Sequence, residues 1–350
     1  MGRKARVAVT RDLFDQEGKS ISPGPGPSVL DKMPDVEWDK FPEYLTEVTT
    51  EQAKGFDMVI TFAPYWTRKT LMACEQLLCL NRGGVGYDMV DVPACTDAGV
   101  ALFIIPGAVR RPVATGIMAF ILALATRLRV KDMVTREGRW DDGRKKYPGI
   151  GLAGKTLGSI GTGNIGHDLF RLAKPFGMKH IACDPYITQD AVKDVDVQLV
   201  DMDTVLSQSD FVNVSCPLSE KTRHLIGEKE LKKMKPTAYI INTSRGPVID
   251  EAALIKALKE NWIQGAGIDV YEQEPASGDN PLFKLENVIV TPHSIAMTDE
   301  FYITMWELIA QQIRQMIDGE KPEKLVNPEV WDKPAFQNKL KRFHEEMRRR

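Results

Sequence analysis

The sequence has few of the features that commit a chain to a metal, a disulfide framework or a nucleic acid. Its five cysteines form no C-x-x-C pair, and an odd, scattered set of thiols is not typical of zinc sites or disulfides. We therefore expect reduced thiols and no metal. The formal net charge is only -2, which gives no general reason to expect nucleic acid or an acidic membrane as a partner.

Long apolar segments are also scarce. The amino terminus, MGRKARVAVTRD, lacks the apolar core of a signal peptide. The most apolar helical run, residues 116–128, contains an arginine and is too short to span a bilayer. We therefore expect a cytoplasmic protein without a membrane partner. The 350 residues, 43% hydrophobic and 27% charged, have an ordinary globular composition and suggest two domains or one large one.

Short apolar strands alternate with helices along most of the chain. The strands are predicted at residues 6–10, 56–62, 155–160, 180–184, 211–215, 238–244, 265–270 and 287–293, and residues 76–91 are predicted to form a strand that runs into a glycine-rich turn. A long apolar helix is predicted from near Pro112 to about Val130, followed by loop-like residues 135–151. This alternation predicts an α/β fold with parallel sheets and crossover helices.

A glycine-rich turn between a strand and a helix indicates a dinucleotide site. The stretch GTGNIG at 161–166 has the G-x-G-x-x-G spacing, and Asp184 closes the next strand 18 residues after its last glycine. The glycines permit a tight turn and a close approach of pyrophosphate, while the acid binds the ribose hydroxyls and repels a 2′-phosphate. We therefore predict NAD as the cofactor. The predicted cofactor contacts here are Gly161, Gly163, Asn164, Ile165, Gly166, Asp184 and Pro185.

Three later strands end in residues that suit hydride and proton transfer. Strand 238–244 leads to Arg245, strand 265–270 leads toward Glu272 and Glu274, and strand 287–291 leads to His293. A doubly wound sheet presents its ligands at these carboxyl ends. A lone histidine is commonly half-buried for packing, but the neighbouring arginine and acid favour an acid/base role for His293.

The motifs NRGGVGYDMVD, KTLGSIGTGNIG, CPLSEKTRHLI, INTSRGPVIDEAAL, GAGIDVYEQEP and VTPHSIA resemble those of the D-isomer-specific 2-hydroxyacid dehydrogenases, over residues 56–330. The resemblance implies two Rossmann-like, doubly wound domains with an active site in the cleft between them. The cofactor domain, 110–297, would be inserted into a discontinuous flavodoxin-like substrate domain, 1–109 and 298–331. Residues 332–350 would remain as a charged tail, in which residues 339–350 form a surface helix or are disordered.

The resemblance also implies a role for each matching residue. Arg245 would bind the substrate carboxylate and carbonyl oxygen, His293 would transfer the proton, and Glu274 would fix the imidazole tautomer. Only the spacing to Pro275 separates Glu274 from Glu272. The remaining cofactor contacts would be Cys216, Pro217, Thr243 and Asp269, and the substrate carboxylate would rest on the amides of Gly84, Val85 and Gly86.

Two segments depart from the family pattern. Tyr65 and Trp66 stand where phosphoglycerate-specific members carry an arginine, so we expect a non-phosphorylated substrate, and these aromatic residues either shape a pocket for a bulkier acid or pack under a loop. Arg110 replaces a polar turn residue and either binds a second anionic group or caps a solvent-facing turn. Arg82 is a further candidate cation for the substrate site.

The sequence therefore predicts an NAD-dependent oxidoreductase that interconverts a 2-hydroxyacid and a 2-oxoacid. The resemblance implies that the substrate is a D-2-hydroxyacid, and that a homodimer is joined through the helix and loop of residues 112–151. Two alternatives remain open. One is an NAD(H)-sensing binding protein similar to the transcriptional corepressor called C-terminal binding protein. The other is a dehydrogenase for a small anion such as phosphite, built on the same scaffold.

Overall fold

The computed structural model describes residues 3–348, which form two compact units. The first unit comprises the residues up to Val109 and those from Met297 onward, and the second is Arg110–Ala296. The strands are β1 Ala5–Val9, β2 Val36–Lys40, β3 Met58–Thr61, β4 Cys79–Arg82, β5 Ala101–Phe103, β6 Thr156–Ile160, β7 Lys179–Cys183, β8 Gln198–Leu199, β9 Phe211–Val214, β10 Tyr239–Asn242, β11 Gly265–Ile268 and β12 Val288–Val290. The α-helices are α1 Thr50–Ala53, α2 Arg68–Ala73, α3 Val92–Ala98, α4 Pro106–Ala125, α5 Leu128–Arg136, α6 Trp140–Lys145, α7 Asn164–Ala173, α8 Met202–Gln208, α9 Glu228–Leu231, α10 Glu251–Lys259, α11 Asp299–Asp318 and α12 Pro334–Arg348.

The first unit is built on a five-stranded parallel sheet in the order β2-β1-β3-β4-β5. This is the flavodoxin-like order, in which the direction of winding reverses between β1 and β3. Helix α11 packs on the sheet because its apolar residues recur at helical spacing, with Met305, Ile309 and Ile313 fully buried. Thr298 begins this helix as N-cap by accepting a hydrogen bond from the amide of Phe301.

The second unit contains a seven-stranded parallel sheet in the order β12-β11-β10-β9-β6-β7-β8. Its central strands consist mainly of consecutive apolar residues, such as the first three residues of YIIN in β10, because both faces of the sheet are buried. The winding reverses between β6 and β9, and ligands bind at such a reversal, beyond the carboxyl ends of the strands. The predicted α/β class with two doubly wound sheets is confirmed.

The long apolar helix differs from its predicted bounds. We expected it to begin near Pro112, because proline favours the first turn of a helix, but α4 begins at Pro106, contains Pro112 and ends at Ala125. Arg127, with a left-handed φ of 57°, separates it from α5. By length and composition α4 could cross a membrane, although 61% of its most apolar window is buried inside the protein, a burial that core helices also show.

The carboxyl-terminal segment is helical, which is one of the two predicted alternatives, but it is not a surface tail. Residues 334–348 form α12, and its apolar side chains Phe336, Leu340 and Phe343 belong to the core of the first unit. We did not predict this apolar face, because most residues between the three are charged or polar. Their spacing of three and four residues is nevertheless that of one helical face.

Lys339 of α12 donates to carbonyl groups after α2 and at the end of α3. Its Nζ atom donates to the carbonyl oxygens of Cys74, Leu77 and Ala98, at 3.3, 3.1 and 2.7 Å. The last carbonyls of a helix have no partner within the helix, so the ammonium group replaces solvent for Cys74 and Ala98, and it also binds Leu77 in the loop before β4. Burial lowers the pKa of Lys339 to about 8.

Candidate active site

The glycine-rich turn lies in the second unit, between β6 and α7, at the reversal of winding. Gly161 has a φ of 89°, and a Cβ atom there would lie 2.8 Å from the carbonyl oxygen of Ser215 at the end of β9. A Cβ atom on Gly163 would meet nothing within 4 Å. The first glycine is therefore required by the fold, whereas the second leaves open space beside the backbone.

The open turn fits the phosphates of a dinucleotide. Gly163 is the N-cap of α7 and contributes no side chain to cap it, so the first amides of the helix can bind an anion. The hydroxyl oxygen of Thr162 is buried and has no hydrogen-bond partner within residues 3–348. The predicted contacts Asn164 and Ile165 form the first turn of this helix.

Asp184 follows β7 and is held by two backbone amides. Its Oδ2 atom accepts a hydrogen bond from the amide of Thr162 at 2.8 Å, and its Oδ1 atom accepts one from the amide of Tyr186 at 2.9 Å. Each carboxylate oxygen has a second lone pair, so this half-buried carboxylate can still accept bonds from ribose hydroxyls. Pro185 next to it is exposed.

The other predicted cofactor contacts follow neighbouring strands. Cys216 and Pro217 come after β9, and Thr243 comes directly after β10. Cys216 is half-buried, and burial raises the pKa of its thiol to about 11. It therefore remains a neutral thiol at physiological pH and suits an apolar wall better than a nucleophile.

His293 and Glu274 form a hydrogen-bonded pair after β12 and β11. The Nδ1 atom of His293 lies 2.7 Å from Oε2 of Glu274, and the other carboxylate oxygen accepts the amide hydrogen of Tyr271 at 3.0 Å. With Nδ1 engaged, Nε2 is the ring atom left to exchange a proton with a substrate.

Glu274 remains ionised beside this histidine. Burial alone would raise the pKa of Glu274, but the hydrogen bond and charge of His293, the amide of Tyr271 and the charge of Arg245 together lower it. Arg245 itself is half-buried and donates from Nη1 to the carbonyl oxygen of Ser244 at 2.7 Å. Arginine, acid and histidine therefore interact electrostatically at one edge of the second sheet.

Asp269 organises the turn that carries His293. His293 has a left-handed φ of 51°, which non-glycine residues adopt only when their surroundings hold them. The amide of His293 donates to the carbonyl oxygen of Asp269 at 2.7 Å, and Oδ1 of Asp269 accepts from the hydroxyl of Thr291 at 2.6 Å and the amide of Ser294 at 2.9 Å. Burial raises the pKa of this carboxyl group.

Glu272, which the sequence distinguishes from Glu274 only by the spacing to Pro275, has a different partner. It forms a close hydrogen bond with Nε2 of His224, a residue that also has a positive φ of 50°. The second unit thus contains two His–Glu pairs. The pair of His293 is the one whose histidine follows a predicted strand, residues 287–291.

The predicted carboxylate cradle lies in the first unit, after β4, and one of its three amides is already used. The amide of Gly84 donates to the carbonyl oxygen of Arg82 at 2.7 Å. Within residues 3–348, the half-buried amides of Val85 and Gly86 donate to no acceptor. We therefore correct the cradle to these two groups.

Trp66 does not line a substrate pocket. Its side chain is 1% exposed within a hydrophobic cluster of the first unit, and its indole N–H donates to the hydroxyl of Thr61 at 2.9 Å. The alternative that it packs under a loop is the correct one for this residue. Tyr65 points the other way and is 53% exposed, as expected from the alternation of side chains along an extended segment.

The two other candidate cations are both held in place. The guanidinium of Arg82 is buried and lies 5.0 Å from the ring centroid of Phe62. In the second unit, Nε of Arg110 pairs with Asp168 at 2.8 Å, and the Asp168 side chain is 4% exposed. A buried carboxylate explains the orientation of Arg110 without a ligand, and its substrate role stays a prediction.

The sequence reading missed Asp12, which follows β1 and lies beside the chain that leaves β3. The sequence does not show this neighbourhood, because it depends on the order of strands in the sheet, in which β1 is next to β3.

No group of three or more histidine, cysteine, aspartate or glutamate side chains within the described residues could hold a metal ion.

Comparison with known proteins identifies the class. The family described as D-isomer specific 2-hydroxyacid dehydrogenase, NAD binding domain, matches residues 118–294. A glyoxylate reductase from Thermococcus litoralis is 38% identical over 334 residues, covering 93% of this chain and 98% of the relative. A D-3-phosphoglycerate dehydrogenase from Methanocaldococcus jannaschii is 40% identical over 283 residues, covering 80% of this chain and 53% of the relative. The structure of D-lactate dehydrogenase from Aquifex aeolicus, complexed with NAD and lactic acid, has 25% sequence identity and a TM-score of 0.80, covering 92% of this chain and 99% of that one.

The chain belongs to the D-isomer specific 2-hydroxyacid dehydrogenase family. It is an NAD-dependent oxidoreductase that interconverts 2-hydroxyacids and 2-oxoacids, and the predictions of family, cofactor and type of reaction are confirmed. The relatives include enzymes named for glyoxylate, phosphoglycerate and lactate. Nothing in these comparisons favours the corepressor or the phosphite alternative.

Proposed function

We propose that His293, Glu274 and Arg245 carry out the proton transfer and carboxylate binding of this reaction. NAD, when bound at the glycine-rich turn, supplies the hydride acceptor or donor. Arg245 binds the carboxylate of the 2-oxoacid, His293 donates a proton from Nε2 to the carbonyl oxygen, and Glu274 keeps the imidazole oriented. The observation that carries the proposal is the 2.7 Å bond between His293 and Glu274, with the charge of Arg245 acting on the same carboxylate.

The two His–Glu pairs of the second unit provide a matched test. We expect His293→Ala to lower kcat for reduction of 2-oxoacids by about 10²-fold or more, the usual contribution of a positioned acid/base group. His224→Ala removes the same type of side chain from the other pair and should change kcat less than about threefold. NADH titration by fluorescence should give similar Kd values for both variants. Equal losses of kcat, or an active His293→Ala enzyme, would remove His293 from the mechanism.

We also propose that Asp184 makes the enzyme prefer NADH to NADPH. Its carboxylate is fixed at the end of β7 by the amides of Thr162 and Tyr186, where a 2′-phosphate would bring a second negative charge. The test is kcat/KM for both cofactors with one 2-oxoacid. We expect Asp184→Ser to lower the NADH/NADPH ratio at least tenfold, and an unchanged ratio would contradict this role.

We propose a homodimer that uses residues 112–151, which run from α4 through α6 into the loop that follows it. Large apolar side chains are exposed along it, including Leu122, Leu128, Trp140 and Ile150, and exposed apolar groups of this extent are typical of interaction surfaces. Light scattering should give about twice the chain mass for the native protein. Leu128→Glu should shift it toward the monomer, and a native monomer would refute the proposal.

For the compartment we propose the cytoplasm. All five cysteines are free thiols, which suits a reducing environment. Fractionation of cells that produce the protein tests this, and recovery outside the cytoplasm would contradict it.

A further inference from the structure

Two polar side chains are paired in the interior of the second sheet, close to the glycine-rich turn. Ser159 on β6 lies directly opposite Asn213 on β9, and both residues are fully buried. On the outer side of the pair, β7 contributes Ala182 and β10 contributes Ile241. Buried polar groups cost free energy unless they are hydrogen-bonded. A polar pair between apolar neighbours therefore indicates a role in hydrogen bonding rather than in packing.

The hydroxyl group of Ser159 fixes the first carbonyl group of the turn. Its Oγ atom donates to the carbonyl oxygen of Gly161 at 2.7 Å, and Nδ2 of Asn213 lies 3.0 Å from the same Oγ atom. A hydroxyl group has one hydrogen, and because Gly161 takes it, Ser159 must accept the bond from Asn213. Nδ2 also donates to the hydroxyl of Ser215 at 3.1 Å. Asn213 thus keeps the hydroxyl of Ser159 directed at the turn.

The same peptide group also binds Asp184, the acid proposed to select NADH. The carbonyl of Gly161 and the amide of Thr162 belong to one planar peptide group, so they point to opposite sides of it. The carbonyl accepts from Ser159, and the amide donates to Oδ2 of Asp184 at 2.8 Å. Hydrogen bonds therefore hold this peptide at both of its polar ends, and its rotation would carry the donor away from Asp184.

We propose that Ser159 is a positioning residue for cofactor selection, which acts through the Gly161–Thr162 peptide on the carboxylate of Asp184. This inference rests on the function proposed for Asp184 and adds the residue that supports it from within the sheet. The side chain of Ser159 is fully buried, so it acts without touching the cofactor.

A purely structural role for Ser159 would have a different signature. Loss of a bond that only satisfies a buried carbonyl would lower stability and leave the relative affinities for NADH and NADPH unchanged. Loss of a bond that positions Asp184 would leave the amide of Tyr186 as its remaining fixed donor. The loosened carboxylate would bind the ribose of NADH less well and repel the 2′-phosphate of NADPH less strongly. The ratio of the two dissociation constants therefore separates the two roles.

Ser159→Ala is the direct test, with Kd measured by fluorescence titration of NADH and of NADPH. We expect the ratio of Kd for NADPH to Kd for NADH to fall by about three- to tenfold, the value of one neutral hydrogen bond. The kcat at saturating NADH should change less than about twofold, because the side chains proposed for the chemistry follow other strands. Ser209→Ala is the matched control. Its hydroxyl is also buried in the second unit but has no hydrogen-bond partner within residues 3–348, so the ratio should not change.

A double variant tests whether Ser159 acts through Asp184. In the Asp184→Ser background, Ser159→Ala should change the ratio less than about twofold, because two substitutions that affect one interaction are not additive. A full additional decrease would show that Ser159 acts independently of Asp184 and would overturn the proposal.

The outcomes separate this inference from the role of Asp184. If Asp184→Ser lowers the ratio but Ser159→Ala does not, the role of Ser159 is refuted while that of Asp184 stands. If Asp184→Ser leaves the ratio unchanged, the role of Asp184 fails and this inference fails with it. Thermal unfolding checks each variant. If Ser159→Ala does not fold, Ser159→Cys, which has a weaker donor, decides the question: the ratio should fall, and an unchanged ratio refutes the proposal.

Discussion

Replacement of Glu274 by glutamine tests whether this acid supports catalysis by His293, and the same replacement of Glu272 serves as the control. The amide retains the size of the side chain and removes the negative charge beside His293. Hydrogen bonds to charged groups contribute about 1.5–3 kcal/mol. The side chains of His293 and Glu274 are 43% and 35% exposed, so solvent screens the pair and the low end of that range applies. A loss of about 1.4 kcal/mol corresponds to a tenfold lower kcat/KM.

The control is Glu272→Gln, which removes the same charge from the pair with His224. We expect kcat/KM in this variant to change less than about twofold, because the His224 pair contributes no group to the proposed chemistry. The assay is the steady-state oxidation of NADH with a 2-oxoacid, for both variants and the native enzyme. Similar losses in the two variants, or full activity in Glu274→Gln, would refute the assignment of the acid.

The same substitution has a pH signature in stability. Since the pKa of Glu274 is lowered in the folded state, its ionised form stabilises the fold above the ordinary pKa of about 4.3. This contribution is lost as the pH falls through the folded-state pKa. The difference in unfolding free energy between native enzyme and Glu274→Gln should therefore shrink in acid, and a difference that grows instead would contradict the lowered pKa.

Three further predictions concern other parts of the fold. Burial lowers the pKa of His180, so the unfolded state binds a proton before the folded state does as the pH falls below about 6.5. The unfolding free energy, measured with urea, should therefore fall by up to about 1.4 kcal/mol per pH unit in this range, and His180→Leu should remove that dependence. An unchanged pH dependence would refute this. Gly161→Ala should lower the melting temperature, because its Cβ atom would clash with the backbone. Gly163→Ala should fold normally and bind NADH more weakly, because its Cβ atom would enter the open space beside the turn. Equal melting temperatures of the two variants would contradict the distinction. Lys339→Met should lower the free energy of unfolding, measured with urea, by about 2 kcal/mol or more, because carbonyl groups lose their hydrogen-bond donor. A decrease below about 0.5 kcal/mol would show that these bonds contribute little.

The strands that carry the site could be predicted because their local sequence is decisive. In the second unit, an apolar strand precedes the glycine-rich turn, a helix with apolar residues at helical spacing follows it, and Asp184 ends the next strand at the expected distance. Strand β2, with the sequence VEWDK, was not predicted because only two of its five residues are apolar, unlike the continuous apolar runs of the buried strands. The two residues of β8 are too few to give any periodic signal.

The features of the site that the sequence could not decide depend on information that is not local. The sequence showed that Trp66 is near the end of a strand but not which way its ring points, and burial in the core decides this. The separate partners of Glu272 and Glu274 depend on where His224 and His293 lie in space. The position of Asp12 depends on the neighbour of β1 in the sheet, which only the tertiary topology defines.

The division of the first unit along the chain affects the order in which the protein can fold during synthesis. The second unit is continuous, so all of its strands are synthesised before α11 and α12. The first unit must wait for its last helices, whose residues Trp306 and Phe343 complete its core. Until then one face of its sheet stays uncovered, and we expect a released fragment that ends near residue 297 to be protease-resistant in the later-encoded unit and sensitive in the earlier one.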